Sequence, residues 1–216
     1  CIRDSSSPNH FVHYSGRLAA ELNDSQEAGA LWANQFDNTA NRDAHYATTG
    51  PEIWAQTDGR IDAFVSAVGS GGTIAGVSAY LREKKPGVTI ALADPAGAAM
   101  FNWFNKGEMT SEGSSITEGI GVARITGNLE GFRPDHAYRI EDAEFLPLLF
   151  DLVKHEGLSL GGSAGVNIAG AVRLATEIGP GKTIVTCLCD PGARYASKLF
   201  NPEFLRSKGL PEPDWA

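Results

Sequence analysis

The sequence lacks the features that mark several large classes of protein. Three cysteines in 216 residues are too few for a disulfide framework. Basic side chains number 18 against 26 acidic ones, a net charge of −8, so neither nucleic acid nor an anionic membrane is an expected partner. No apolar run approaches the ~20 residues that a bilayer-spanning helix needs. Residues 1–9 (CIRDSSSPN) are polar and carry no apolar core of a secretory leader. Cys187 and Cys189 lie in the apolar run 183–189 (TIVTCLC), with no histidine cluster beside them, and read as core thiols on one strand face rather than metal ligands. These absences leave a reduced, cytoplasmic globular protein without a metal as the expectation. The 42% hydrophobic and 20% charged content agrees with that class. The length suffices for one domain with a full core, or one domain plus part of another.

What is present centres on Gly69-Ser70-Gly71-Gly72-Thr73. The run 61–68 (IDAFVSAV) before it is short, β-branched and bounded by turn residues, which predicts a buried strand. After it, Ile74, Val77 and Leu81 share one helical face, and Pro86-Gly87 ends the helix. Strand, glycine loop and helix form the arrangement in which backbone N–H groups converge on a phosphate, with Ser70 and Thr73 adding hydroxyls. No lysine precedes Thr73, so the loop is not a P-loop, and its glycines do not follow the dinucleotide spacing. A tight turn holding nothing is the plainer reading of the loop alone.

The same unit recurs later. Residues 158–160 predict a short strand running into Gly161-Gly162-Ser163-Ala164-Gly165, and 166–178 predict a helix with a hydroxyl at its start. Between the two units, 88–93 (VTIALA) predicts another strand, and the spacing argues for a parallel sheet with helical crossovers. Residues 97–131 read as irregular, with Met100, Phe101, Trp103 and Phe104 as apolar loop residues that either pack internally or meet a second subunit. A helix is predicted over 142–155 with Asp142 as N-cap and regular bonding only beyond Pro147. Phe11, Tyr14, Leu18 and Leu22 are spaced for one face of a helix near the start, and Pro51 sits near the first position of another. Residues 183–189 predict the last strand, followed by a turn at Asp190-Pro191-Gly192 and a closing helix.

The ordered segments Gln35-Phe36-Asp37-Asn38, Thr48-Thr49-Gly50-Pro51-Glu52-Ile53-Trp54, Gly69 to Thr73, Glu118-Gly119-Ile120-Gly121, Gly161 to Gly165 and Arg194-Tyr195 resemble the fold-type II pyridoxal-phosphate enzymes. Within them the likeness is to the cysteine synthase and cystathionine β-synthase branch, over essentially the whole chain. The resemblance implies an α/β, three-layer fold of the tryptophan synthase β type, with a mostly parallel twisted sheet flanked by helices. It implies pyridoxal 5′-phosphate as cofactor, its phosphate held by Gly69, Ser70, Gly71, Gly72 and Thr73 and its ring nitrogen beside Ser163. A neutral hydroxyl there would donate one hydrogen bond without driving full protonation of the ring. It places Gln35, Gly119 and Gly121 at the substrate, the glycines permitting close approach and domain closure. His45 reads better as a packed loop histidine than as a catalytic one.

One departure stands out. The family's Schiff-base lysine lies in a Ser-x-Lys-Asp-Arg context, and none of Lys84, Lys85, Lys106, Lys154, Lys182, Lys198 and Lys208 has it. No catalytic residue is therefore assigned within the chain. The expectation is that the family's N-terminal third precedes Cys1, that residues 1–32 are a remnant of the smaller domain and its crossover, and that 33–216 form the C-terminal phosphate-binding domain. The fragment alone is then expected to be inactive, and its partners are the missing segment, an amino-acid substrate and a second subunit. For the intact protein the resemblance implies β-replacement, giving L-cysteine from O-acetyl-L-serine and sulfide. The alternative within the branch is cystathionine β-synthase acting on serine and homocysteine, though Val122 stands where its animal members tend to place a tyrosine. An alternative of another class is a non-catalytic subunit that regulates an intact paralogue.

Overall fold

The computed structural model describes residues 10–215. Cys1 and the polar start lie outside them. Four strands form one parallel sheet: β1 (Ala63–Ser66), β2 (Thr89–Pro95), β3 (His136–Ile140) and β4 (Ile184–Thr186), in the order β3-β2-β1-β4. The register runs Ala63 opposite Thr89 and Ile184, and Ala91 opposite His136. Every residue of β1 is buried, as a central parallel strand with both faces covered requires.

Side chains alternate across the sheet into two apolar layers. Ala63, Val65, Ala91, Ala93 and Ile140 face α6 (Asp142–Asp151) and α7 (Gly162–Ile178), meeting Phe145, Leu149, Val166 and Ala169. Phe64, Ile90 and Leu92 face α4 (Gly72–Lys84) and α5 (Met100–Lys106), meeting Ile74, Val77, Leu81 and Met100. Helix, sheet, helix is the three-layer arrangement expected. Gly170 lets α7 lie close on the sheet, since a Cβ there would come within 2.7 Å of Ala93 Cβ.

Three local expectations are corrected. Residues 100–106, read as irregular, form a helix closed by Gly107 in the left-handed region, in which Met100 is fully buried and Trp103 and Phe104 pack partly buried against the core. Residues 158–160 are no strand; Leu160 makes a single antiparallel bridge to Pro191. Helix α6 runs unbroken across Pro147, and Asp142 is its first residue rather than its cap. The strand β3 was not anticipated. It is an edge strand whose His136 and Arg139 remain half exposed, which thins its apolar signal.

Before the sheet come α1 (Phe11–Ser25), α2 (Ala40–Ala47) and α3 (Thr49–Gln56), and α8 (Pro202–Ser207) closes the chain. Helix α1 buries only Ala19; Phe11, Tyr14 and Leu18 are exposed, as are Leu31 and Trp32. Among the described residues, no helix is long and apolar enough to cross a membrane.

Candidate active site

The glycine loop leaves the C-terminal end of β1 and becomes the first turn of α4. Gly71 carries the bend at φ +87°, a left-handed conformation that L side chains rarely adopt, and a Cβ there would lie 2.5 Å from Leu129 Cγ. The first bond of the helix runs from Ala75 N to Gly71 O at 3.1 Å. Gly72, Thr73 and Ile74 thus present N–H groups with no carbonyl partner inside the helix, at its positive end.

The loop's side chains are set by α2, which lies along α4. Asn41 Nδ2 donates to Ser70 Oγ at 2.9 Å and to the Gln35 carbonyl at 2.8 Å. Ser70 Oγ therefore accepts, and its own proton is available to a ligand. Thr126 Oγ1 donates to the Ser70 carbonyl at 2.7 Å, which holds the loop from its other side. Thr73 Oγ1 lies 3.2 Å from His45 Nε2, and His45 Nδ1 lies 2.9 Å from Thr49 Oγ1. Burial holds the imidazole below its ordinary pKa, which favours the neutral ring.

The second glycine segment forms the first turn of α7, beginning four residues earlier than expected. Ser163 is buried and sits within that turn rather than capping it. Its Oγ donates to Asp190 Oδ1 at 3.3 Å, while Tyr195 OH donates to Asp190 Oδ2 at 2.6 Å. The bond to Asp190 pushes the Tyr195 phenol up to about 12.

A strap of residues, 117–121, joins the two turns. Gly162 faces Thr117, with only 3.7 Å from an added Cβ to Thr117 Cα. Gly69 faces the Gly119 carbonyl, 2.6 Å from an added Cβ, and Gly121 N donates to Val68 O at 2.8 Å. The strap thus touches the loop before α4 and the first turn of α7 within three residues of chain. Gly119 is exposed and Gly121 half-buried, both at positive φ. Lys198 pairs with Glu118 at the edge of the strap.

The anticipated residues thus lie around the strap and the loop beyond the C-terminal end of β1, with one qualification. Gln35 has an exposed side chain, and it is its carbonyl that meets the loop, accepting from Asn41 and, at 2.9 Å, from Asn128. Three asparagines were not anticipated. Asn41 and Asn128 fix the 35–41 segment, and the fully buried Asn167 accepts from Ala67 N and donates to Cys187 O. A lone asparagine in the apolar run VNIAG was the available signal for the last. Cys187 is half-buried, its thiol pushed up to about 11 by burial, but Cys189 is exposed, contrary to its reading as a core residue. Among the described residues no group of three or more His, Cys, Asp or Glu could hold a metal. Of the seven lysines, Lys198 pairs with Glu118 of the strap, Lys84, Lys85 and Lys154 pair with Glu83, Asp62 and Asp214, and Lys106, Lys182 and Lys208 are exposed.

The two helix starts fit pyridoxal 5′-phosphate: the first has N–H groups with no carbonyl partner in the helix, at its positive end, and two hydroxyls, Gly72 N reaching only Ser70 Oγ at 3.4 Å, and the second has one buried hydroxyl suited to a ring nitrogen. Comparison with known proteins agrees. Residues 6–190 match the family described as pyridoxal-phosphate dependent enzyme. A cysteine synthase 2 of Schizosaccharomyces pombe is 45% identical over 94% of this chain and 55% of its own length. A cysteine synthase of Dictyostelium discoideum is 40% identical over 95% of this chain and 56% of its own. The crystal structure of an O-acetylserine dependent cystathionine beta-synthase from Helicobacter pylori superposes with a TM-score of 0.74 at 31% identity, covering 84% of this chain and 57% of that one. The chain spans about half the length of the curated relatives it matches.

Proposed function

The chain belongs to the pyridoxal-phosphate-dependent enzyme family, and from that premise we propose that it is the cofactor-gripping body of an enzyme making L-cysteine from O-acetyl-L-serine and sulfide. The observation that carries this reading is the strap 117–121, which touches both glycine turns, at Gly162 through Thr117 and at Gly69 through the Gly119 carbonyl. The names of the relatives from fission yeast and Dictyostelium support the product.

In this reading pyridoxal 5′-phosphate supplies an electron sink that lets the substrate lose its Cα proton and the acetate on Cβ. The chain's residues bind and orient. Gly71, Gly72 and Thr73 offer N–H groups to the phosphate, and Ser70 Oγ adds a proton because Asn41 already supplies the bond that Oγ accepts. Thr73 gives its proton to the phosphate as well, with His45 donating to Thr73 Oγ1 from Nε2 and accepting from Thr49 at Nδ1. Gly119 and Gly121 admit the amino acid against the strap, and Gln35 stands at its carboxylate. The Schiff-base lysine comes from residues other than these. Residues 1–32 belong to the smaller domain, consistent with the uncovered apolar face of α1. The assembly is a cytoplasmic homodimer.

A second reading, cystathionine β-synthase, is favoured by the Helicobacter structure and by a Bacillus subtilis relative, 36% identical over 76% of this chain, both named as O-acetylserine dependent enzymes of that kind. The two readings share the acyl donor and differ in the nucleophile. Steady-state assays of the intact enzyme with O-acetylserine should show sulfide preferred over homocysteine. Preference for homocysteine selects the second reading, and no turnover with either defeats both. Borohydride treatment of the cofactor-loaded chain should fix no pyridoxyl group on its seven lysines.

A further inference from the structure

Ser163 owns one hydroxyl proton and two lone pairs. That proton faces Asp190 Oδ1 at 3.3 Å. Asp190 has two further donors, one on its side chain and one on its backbone. Tyr195 OH donates to Oδ2 at 2.6 Å, and Gly161 N donates to the Asp190 carbonyl at 2.9 Å. Gly161 also makes the room: a Cβ there would stand 2.2 Å from Asp190 Oδ1 and 2.7 Å from Tyr195 Cε2. The other charges facing Tyr195 are Arg194 and Glu118, the latter paired with Lys198. A carboxylate so constrained cannot easily turn away from the serine.

We infer that Asp190, anchored by Tyr195, decides which way Ser163 points its proton and thereby raises the basicity of the pyridine nitrogen placed beside it. The inference rests on the cofactor placement proposed above. With Oγ–H directed at Asp190, Ser163 turns a lone pair to the ring nitrogen, and the matching partner is a protonated ring. With a neutral ring, Ser163 must give its proton to the nitrogen, and Asp190 Oδ1 is left facing a lone pair. The negative charge of Asp190 acts in the same direction. A serine alone would leave the ring neutral, as the sequence suggested. A serine backed by a fixed carboxylate shifts the balance toward the pyridinium, a stronger electron sink. Asp190 and Tyr195 are positioning residues that act through Ser163.

The test needs no turnover. The probe is 4-deoxypyridoxine 5′-phosphate labelled with ¹⁵N in the ring, which has no aldehyde and so requires no lysine. Its ³¹P signal reports occupation of the α4 turn, and its ¹⁵N shift across pH reports ring protonation. Asp190→Asn should leave the ³¹P signal of the bound probe in place and lower the pH at which the ring titrates by about one unit or more. Tyr195→Phe should lower it less, because the charge remains while its anchor is lost. The effect of Asp190→Asn should vanish when Ser163 is already alanine. A ring that titrates alike with and without Asp190, or a shift that survives Ser163→Ala, overturns the inference and leaves the phosphate site standing. Absence of ³¹P perturbation in the unaltered protein overturns both. Should Asp190→Asn fail to fold by circular dichroism, an unchanged ring titration in Tyr195→Phe overturns the inference by itself.

Discussion

Asn167 Oδ1 accepts the Ala67 N–H at 2.6 Å, a bond between residues 100 apart that ties the second helix of the site to the end of β1. Its Nδ2 donates to the Cys187 carbonyl at 2.8 Å just beyond β4, so one buried amide spans two neighbouring chain segments where the ligand cups begin.

Removing that amide takes the Ala67 N–H from its acceptor and leaves the Cys187 carbonyl only the weak Cys189 Sγ donor at 3.7 Å. Asn167→Ala should destabilise the fold by roughly 2–4 kcal/mol. Urea denaturation followed by circular dichroism measures it, and a loss below about 1 kcal/mol would show that water replaces the amide.

Gly71 has a backbone that alanine resists and a side-chain position filled by Leu129. Gly71→Ala should cost about 1–3 kcal/mol and weaken binding of 4-deoxypyridoxine phosphate. Gly87, where an added Cβ meets nothing within 4 Å, serves as the control and should tolerate alanine with little change. Equal behaviour of the two variants would contradict the loop geometry.

Thr73 is expected to hold a charged ligand by hydrogen bond. Thr73→Ala should reduce affinity for the same probe roughly ten- to a hundredfold, the range for a bond to an ionised group. His45→Ala, acting only through Thr73 Oγ1, should reduce it less. Titration calorimetry orders the two, and a larger loss at His45 would mean that the imidazole meets the ligand directly.

Two groups give stability opposite dependences on pH. Asp94 is fully buried, with one oxygen accepting from Phe101 N, and burial pushes its carboxyl from 3.8 up to about 7. The folded state thus keeps a proton that the unfolded chain releases, so this contribution is complete below about 3.8 and is lost as pH rises through about 7. His45 is shifted below its ordinary 6.5, so its contribution is present above that value and lost as pH falls. Thermal midpoints between pH 5 and 8 should show a fall toward pH 8 that Asp94→Asn flattens. An unchanged slope in that variant would place the titration elsewhere.

Much of the site was legible because its parts are local. A glycine loop between an apolar strand and an amphipathic helix announces itself within 15 residues, and the helix start follows from that order alone. The same holds for Ser163. Residues whose roles depend on distant partners were not legible. Asn128 reads as a loop residue until its amide is seen on the carbonyls of Gln35 and Phe36, more than 90 positions away. Helix α5 was hidden by glycines on either side, and β3 by the polar residues that an edge strand can afford to expose.

By itself the sequence determined the parallel sheet with helical crossovers, the two glycine turns and the buried faces that pack them, since each depends on periodicity and on the backbone freedom of residues close together in the chain. Only the tertiary structure decided that one strap touches both turns and which carboxylate sits behind Ser163. Those facts depend on the strap at 117–121 and on the bonds of Asn167 and Tyr195, contacts between segments whose separation in sequence carries no trace of their distance in space.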